Sequence, residues 1–229
     1  MWYLQRRCKM ILNADILSHI PLFQGITVDE LARLDTVLYP HIKNASSGEF
    51  LSYPEDVIED TGIVLEGRIH MISEDFWGNQ NIIAEFTKNT LFGEAHSISR
   101  TPLFFSLVAV EPSNLLFIRT QKILDAARRG DNGILKLYHN LMTIIIQKKL
   151  NYMKKADILS RRNLREKVSA FLSEEYQKNG TPSFTIPYDR QQMADYLSVD
   201  RCALSKELSK MKKEGILDYR HSWFQLKTL

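Results

Sequence analysis

Apolar and polar positions change rhythm along the chain. Between residues 14 and 38, apolar side chains fall in short helical runs. Thr27 followed by Glu30 is a capping-box pattern set before Leu31 and Leu34. From His41 to Ile118 the rhythm shortens. The segments EFLSY, TGIVLEGRIHMIS, NQNIIAEFT, LFFSLVAVE and NLLFIRT read as strands, with Trp77-Gly78-Asn79 as a hairpin turn. On either side of Gly67, apolar residues recur at about every second position, so the spacing predicts an antiparallel roll or sandwich.

A longer period follows. Residues 120–129 predict one short helix closed by RRGDNG, and a long helix then starts near Asp131 or Asn132 and runs to about Ser160. Its apolar positions are Ile134, Leu137/Tyr138, Leu141, Ile144/Ile145 and Tyr152, at a spacing near 3.5 residues. At 1.5 Å per residue it is on the order of 40 Å long. Such a helix needs a surface to pack on, either its own β domain or the same helix of a second chain. Lys148 interrupts the seam.

Residues 188–227 divide into two helices and a hairpin. Asp189 and Gln192 form a D-x-x-Q cap for the first helix, whose inner face carries Met193, Ala194 and Leu197. Ser198-Val199-Asp200 makes a tight turn, and Asp200 caps a second helix with Leu204, Leu208 and Met211 facing inward. Gly215 is placed to stop that helix, and two short strands flank Arg220-His221-Ser222. Helix, turn, helix and two-stranded wing predict a winged helix-turn-helix.

Charge sharpens the division. Residues 1–118 carry 8 Lys/Arg against 15 Asp/Glu, whereas residues 119–229 carry 22 against 12. An acidic half joined to a basic half predicts one surface that avoids nucleic acid and one that seeks it, although a solvated basic helix face gives the same count. The only cysteines, Cys8 and Cys202, are too few for a cysteine-ligated cluster or zinc site, and the six histidines form no H-x-H or H-x-x-x-H pair. No cofactor, metal site or enzymatic centre is expected. No apolar run approaches the roughly 20 residues that span a bilayer. In residues 1–17, Asn13 and Asp15 interrupt any leader core, so a cytosolic location without a membrane partner is expected.

RQQMADYLSVDRCALSKELSKMKKEGIL (190–217) resembles the helix-turn-helix of the Crp/Fnr family of bacterial transcription regulators. GIVLEGRIHMI (62–72), the Gly78 turn and LFGE (91–94) resemble the family's cyclic-nucleotide-binding β-roll. The resemblance implies an α+β chain with a β-roll and long dimerisation helix over residues 1–160 (the helix at about 132–160) and a winged helix-turn-helix over residues 161–229. It further implies a homodimer on an inverted-repeat double-stranded DNA operator, an effector in each roll, and RNA polymerase as a partner. The second helix of the motif would then enter the major groove. Arg201 and Lys206 can donate to guanine O6 and N7, and Ser205 can contact either type of base. Cys202 stands where better-known members carry a glutamate, so the operator differs from theirs; a small residue fitting against DNA and a redox role are both open. Gln191 is placed for a phosphate, with Lys210, Lys212 and Lys213 adding basic charge nearby.

In cAMP-binding members a Gly-Glu pair precedes, by roughly ten residues, an arginine that neutralises the cyclic phosphate. Gly93 and Glu94 match here, but the arginine position falls at Leu103 to Phe105, and Arg100 comes too early. Burying a phosphate charge with no cation costs several kcal/mol, so the expected effector is neither cAMP nor cGMP. Glu94 serves either a ligand or its own turn. Of Phe104 and Phe105, at most one faces the pocket, since strand neighbours point opposite ways. Asn151 and Tyr152 match the long-helix region that touches effector in the family, and Tyr152 also suits the dimer seam. A haem would need His96 as its axial ligand. Two alternatives remain: a regulator with its pocket collapsed around the phenylalanines, and a ligand-sensing module whose helix-turn-helix serves protein contact.

Overall fold

The computed structural model describes residues 17–78, 80–128 and 132–227. The readings made for residues 1–16, including Cys8, for Asn79 and for residues 129–131 lie outside them. The chain divides into two compact units between Gln147 and Lys148.

The first unit begins with a 3-10 turn, Pro21–Phe23, and helix α1, Val28–Leu38. The expected capping box is present: Glu30 N–H donates to Thr27 Oγ1 at 3.3 Å and Thr27 N–H donates to Glu30 Oε2 at 2.8 Å. Strands follow as β1 (His41–Ala45), β2 (Phe50–Ser52), β3 (Asp60–Glu66), β4 (Ile69–Glu74), β5 (Gln80–Phe86) and β6 (Leu91–Phe92). Helix α2 (Glu94–Ser99), β7 (Ser106–Ala109), β8 (Ser113–Arg119) and helix α3 (Thr120–Ala127) complete the roll. Among the described residues two antiparallel four-stranded sheets form, in the orders β1-β8-β3-β6 and β2-β7-β4-β5. Gly67 takes φ 90° between β3 and β4 and lies so close to Ser113 that a Cβ would meet its Oγ at 2.3 Å. That turn admits glycine alone.

Helix α4 runs from Asn132 to Ser160, as the 3.5-residue spacing predicts. Its Ile134, Leu137 and Leu141 are buried with Leu22, Leu31, Leu34 and Leu38 and with Ile63, Leu116 and Ile118 of the sheet. Asn140 donates to the Leu22 and Gln24 carbonyls at 3.0 and 2.9 Å, and Lys136 pairs with Glu30. A separate core of Val64, Ile69, Phe86, Phe92, Leu103, Phe105, Leu107 and Leu115 fills the space between the sheets. Gly62 gives the Phe92 ring its room, since a Cβ there would sit 2.0 Å from the ring.

The second unit contains the end of α4, then α5 (Leu164–Asn179), β9 (Ser183–Thr185), α6 (Arg190–Leu197), α7 (Arg201–Lys213), β10 (Leu217–Arg220) and β11 (Trp223–Leu226). Ile158 of α4 is buried with Val168, Phe171 and Leu172 of α5 and with the inner faces of α6 and α7. Helix α5 and β9 were not read from the sequence. β9 pairs with β11, so the sheet expected to have two strands has three, in the order β10-β11-β9. No helix among the described residues is long and apolar enough to cross a membrane.

Candidate nucleic-acid interface and effector site

Helix α6 carries the predicted box. Gln192 N–H donates to Asp189 Oδ1 at 2.8 Å, and Asp189 N–H donates to Gln192 Oε1 at 2.9 Å. Ser198 ends the helix at φ 51°, Lys167 Nζ donates to the Leu197 carbonyl at 3.4 Å, and Asp200 accepts from Ala203 N–H at 2.8 Å to start α7. Met193, Ala194 and Leu197 from α6 meet Leu204, Leu208 and Met211 from α7 in one core. Burying these six at two helix faces fixes how α7 is rolled. Arg201, Cys202 and Lys206 are therefore exposed on its opposite face, and Ser205 is half-buried among them.

Each outward residue has a specific local state. The Ser205 hydroxyl donates to the Arg201 carbonyl one turn back at 3.0 Å, which leaves its lone pairs outward as acceptors. Cys202 is exposed as a free thiol. Gln191 donates one amide proton to Asp195 at 2.8 Å and keeps the other. Lys212 is committed elsewhere, paired with Asp218 at 2.5 Å, whereas Lys210 and Lys213 are exposed.

Sequence reasoning passed over Arg190, the first residue of α6. Its guanidinium lies 5.1 Å from the Tyr219 ring centroid and 5.7 Å from that of Phe224, and Nη2 donates to the His221 carbonyl at 3.1 Å. Burial, with the Arg201 charge as a smaller contribution, pushes this guanidinium down from its ordinary value. A cation in the first turn opposes the helix dipole, and that mismatch in Asp-Arg-Gln-Gln was the available signal.

In the roll, Gly93 takes φ 76° and starts α2, and Ile58 Cδ1 lies 2.8 Å from where its Cβ would be. Glu94 follows, buried in the first turn of α2. The stretch after Glu94 was read without a helix; α2 is held there by Ser97, whose hydroxyl reaches Thr61 Oγ1 at 3.1 Å, Thr120 Oγ1 at 2.9 Å and the Glu94 carbonyl at 3.0 Å. All three hydroxyl-bearing residues are fully buried. His96 faces the Thr101 carbonyl at 3.1 Å and packs edge-on against Phe105.

The position of the missing phosphate cation holds Leu103 and Phe105, both buried, with Phe104 67% exposed between them. Phe105 thus faces the core and Phe104 faces out, although both lie in a bend just before β7 and not in the strand expected to begin at Leu103. Arg100 donates to Glu59 at 2.6 Å; Arg119 pairs with Glu59 at 2.6 Å and donates to Asp60 at 2.9 Å. Asn151 and Tyr152 belong to the second compact unit, both exposed on α4. Among the described residues, no group of three His, Cys, Asp or Glu could hold a metal ion.

Comparison with known proteins agrees with this architecture. Residues 42–129 match the cyclic nucleotide-binding domain, and residues 166–228 match the Crp-like helix-turn-helix domain. The Cyclic AMP receptor protein of Thermus thermophilus is 24% identical over 201 residues, covering 86% of this chain and 88% of that protein. Among solved structures, the Catabolite Activator Protein of Thermus thermophilus shares 22% identity over 90% of this chain and 93% of that one, with a TM-score of 0.52. CprK complexed with OCPA shares 15% identity over 89% and 93%, with a TM-score of 0.59. With a cyclic nucleotide-binding roll followed by a Crp-like helix-turn-helix, the chain belongs to the Crp/Fnr family of transcription regulators, DNA-binding proteins rather than enzymes.

Proposed function

We propose that the protein acts as a homodimer paired through α4 and reads an inverted-repeat operator with α7. A small molecule other than cAMP or cGMP controls it, and RNA polymerase is its partner at promoters. The outward face of α7 carries the DNA reading: Arg201 and Lys206 supply donors for guanine, Ser205 supplies an acceptor, and Gln191 keeps a proton for a phosphate. Pairing is supported by α4, where Leu135, Tyr138, Ile146, Leu150 and Met153 are exposed at spacings of three, four or eight residues. In such a dimer the two reading helices stand about 34 Å apart, one turn of B-DNA.

Against a cyclic nucleotide stands the arginine pair. Arg100 is engaged by Glu59, Arg119 by Glu59 and Asp60, and Leu103, Phe104 and Phe105 offer a phosphate nothing. Selection of bound duplex from a random pool tests the reading: an inverted repeat with half-sites one turn apart is expected, and enrichment of a single asymmetric site or of nothing would refute it. For the effector, cAMP or cGMP at about 1 mM should leave the melting temperature unchanged, whereas a ligand at a hundredfold its Kd adds about 2.7 kcal/mol.

One observation favours a second reading, regulation without an effector. Phe92 lies 5.8 Å from both Phe86 and Phe117, and with Phe105 these rings occupy the roll interior. A panel of metabolites that leaves the melting temperature unmoved, combined with full operator affinity of the purified protein, would support it.

A further inference from the structure

The reading helix has a neighbour whose placement α7 alone does not fix: the turn Arg220-His221-Ser222 between β10 and β11. Arg220 and His221 are exposed, and His221 takes φ 52°. Three hydrogen bonds tie this turn to the approach of α6. Ser222 Oγ donates to the Tyr188 carbonyl at 2.8 Å, Ile186 N–H donates to the Ser222 carbonyl at 2.9 Å, and Arg190 donates to the His221 carbonyl. Tyr219 completes the frame. Its ring lies under the Arg190 guanidinium, and its hydroxyl meets Ser209 Oγ of α7 at 3.1 Å.

We propose that Arg190 and Tyr219 are positioning residues that lock the Arg220-His221-Ser222 turn to α7, so that Arg220 meets a backbone phosphate beside the bases read by Arg201. The proposal rests on α7 entering the major groove. Arg190 suits a brace better than a direct contact, because it is half-buried and its Nη1 and Nη2 already face Met193 Sδ at 3.5 Å and the His221 carbonyl. Its flat guanidinium covers Tyr219 while its edge donates, a combination that an ammonium cannot reproduce.

The salt dependence of binding separates a brace from a bulk structural role. Each phosphate contact contributes about 0.9 to the slope of log affinity against log salt. With the full-length protein and the duplex recovered from selection, Tyr219→Leu removes no charge, yet it should lower the slope by about 0.9 per half-site. Arg190→Gln and Arg220→Ala should give the same slope. Each should weaken specific binding about tenfold, and the Tyr219→Leu/Arg220→Ala double variant should be no worse than either single one. A Tyr219→Leu protein with unchanged slope, or a double variant whose loss is the product of the singles, overturns the brace. Should Tyr219→Leu not melt cooperatively, Tyr219→Phe deletes only the hydroxyl contact to Ser209 and must still weaken specific binding; unchanged affinity overturns the proposal. A wild-type protein that selects no duplex refutes the groove reading and the brace together. Selection by the wild type with wild-type behaviour in every variant refutes the brace alone.

Discussion

Thr61 and Thr120 stand 59 residues apart in sequence, and their hydroxyls bond each other where both residues are fully buried. Ser97 joins them, and it alone also reaches the Glu94 carbonyl. The start of α2, strand β3 and the start of α3 are thereby pinned at one polar point within an apolar interior.

Ser97 should be the most sensitive of the three. Thr61→Val or Thr120→Val leaves a remaining threonine able to donate to Ser97, at a cost of about 1 kcal/mol. Ser97→Ala leaves the two threonines with two protons and one mutual bond, so one buried donor goes unsatisfied, at about 1–3 kcal/mol. Urea unfolding of the three variants gives the order, and equal losses would contradict this account.

Arg201→Ala should relax the operator preference at one base pair and cost about 1–3 kcal/mol on the cognate duplex. Competition binding against single-base operator variants measures it. Equal weakening of every sequence would instead make Arg201 a phosphate contact.

Leu208→Ala removes a fully buried side chain at the joint of α6 and α7. A loss of about 2–5 kcal/mol is expected in the second unit, with the β-roll unaffected. Calorimetry and operator binding read this together: melting of the C-terminal unit should fall and DNA binding should fall with it.

The hydrogen bond from Arg100, its charge and that of Arg119 hold the Glu59 carboxyl below its ordinary range. A depressed carboxylate stabilises the fold fully above its unfolded value of about 4.3 and loses that contribution as pH falls through the folded value. Glu59→Gln should therefore flatten the acid limb of the unfolding midpoint below about pH 5. An acid limb identical to wild type would show that the pair does not contribute. In the second unit, burial opposes the charge of Lys178, but its bonds to Glu175 and Glu174 outweigh burial and raise it to about 12, so this group stays charged throughout that range.

The legible features were those that a few adjacent residues decide. Thr27 with Glu30, Asp189 with Gln192, and Asp200 each announce a helix start, because a cap needs only its own next three residues. Leu204, Leu208 and Met211 mark an inner face by period alone, and this fixed the outward face of α7 as well. Helix α2 escaped notice because six residues carry little periodicity, and its anchor, Ser97, finds its partners in distant strands. Strand β9 has three residues and exists through pairing with β11. Helix α5 was within reach: Asn163 caps it, and Val168, Phe171, Leu172 and Glu175 repeat at helical spacing, though charged residues dilute the pattern. Arg190 was hidden for another reason, since its ring partners come about thirty residues later.

Helix α4 gives Ile134, Leu137 and Leu141 to one core and Ile158 to another. This dual membership constrains how the gene can change. Within each unit the spacing of these buried side chains has to be kept, so length variation among descendants of this sequence should gather in the turns and spare the stretch from Ile134 to Leu141.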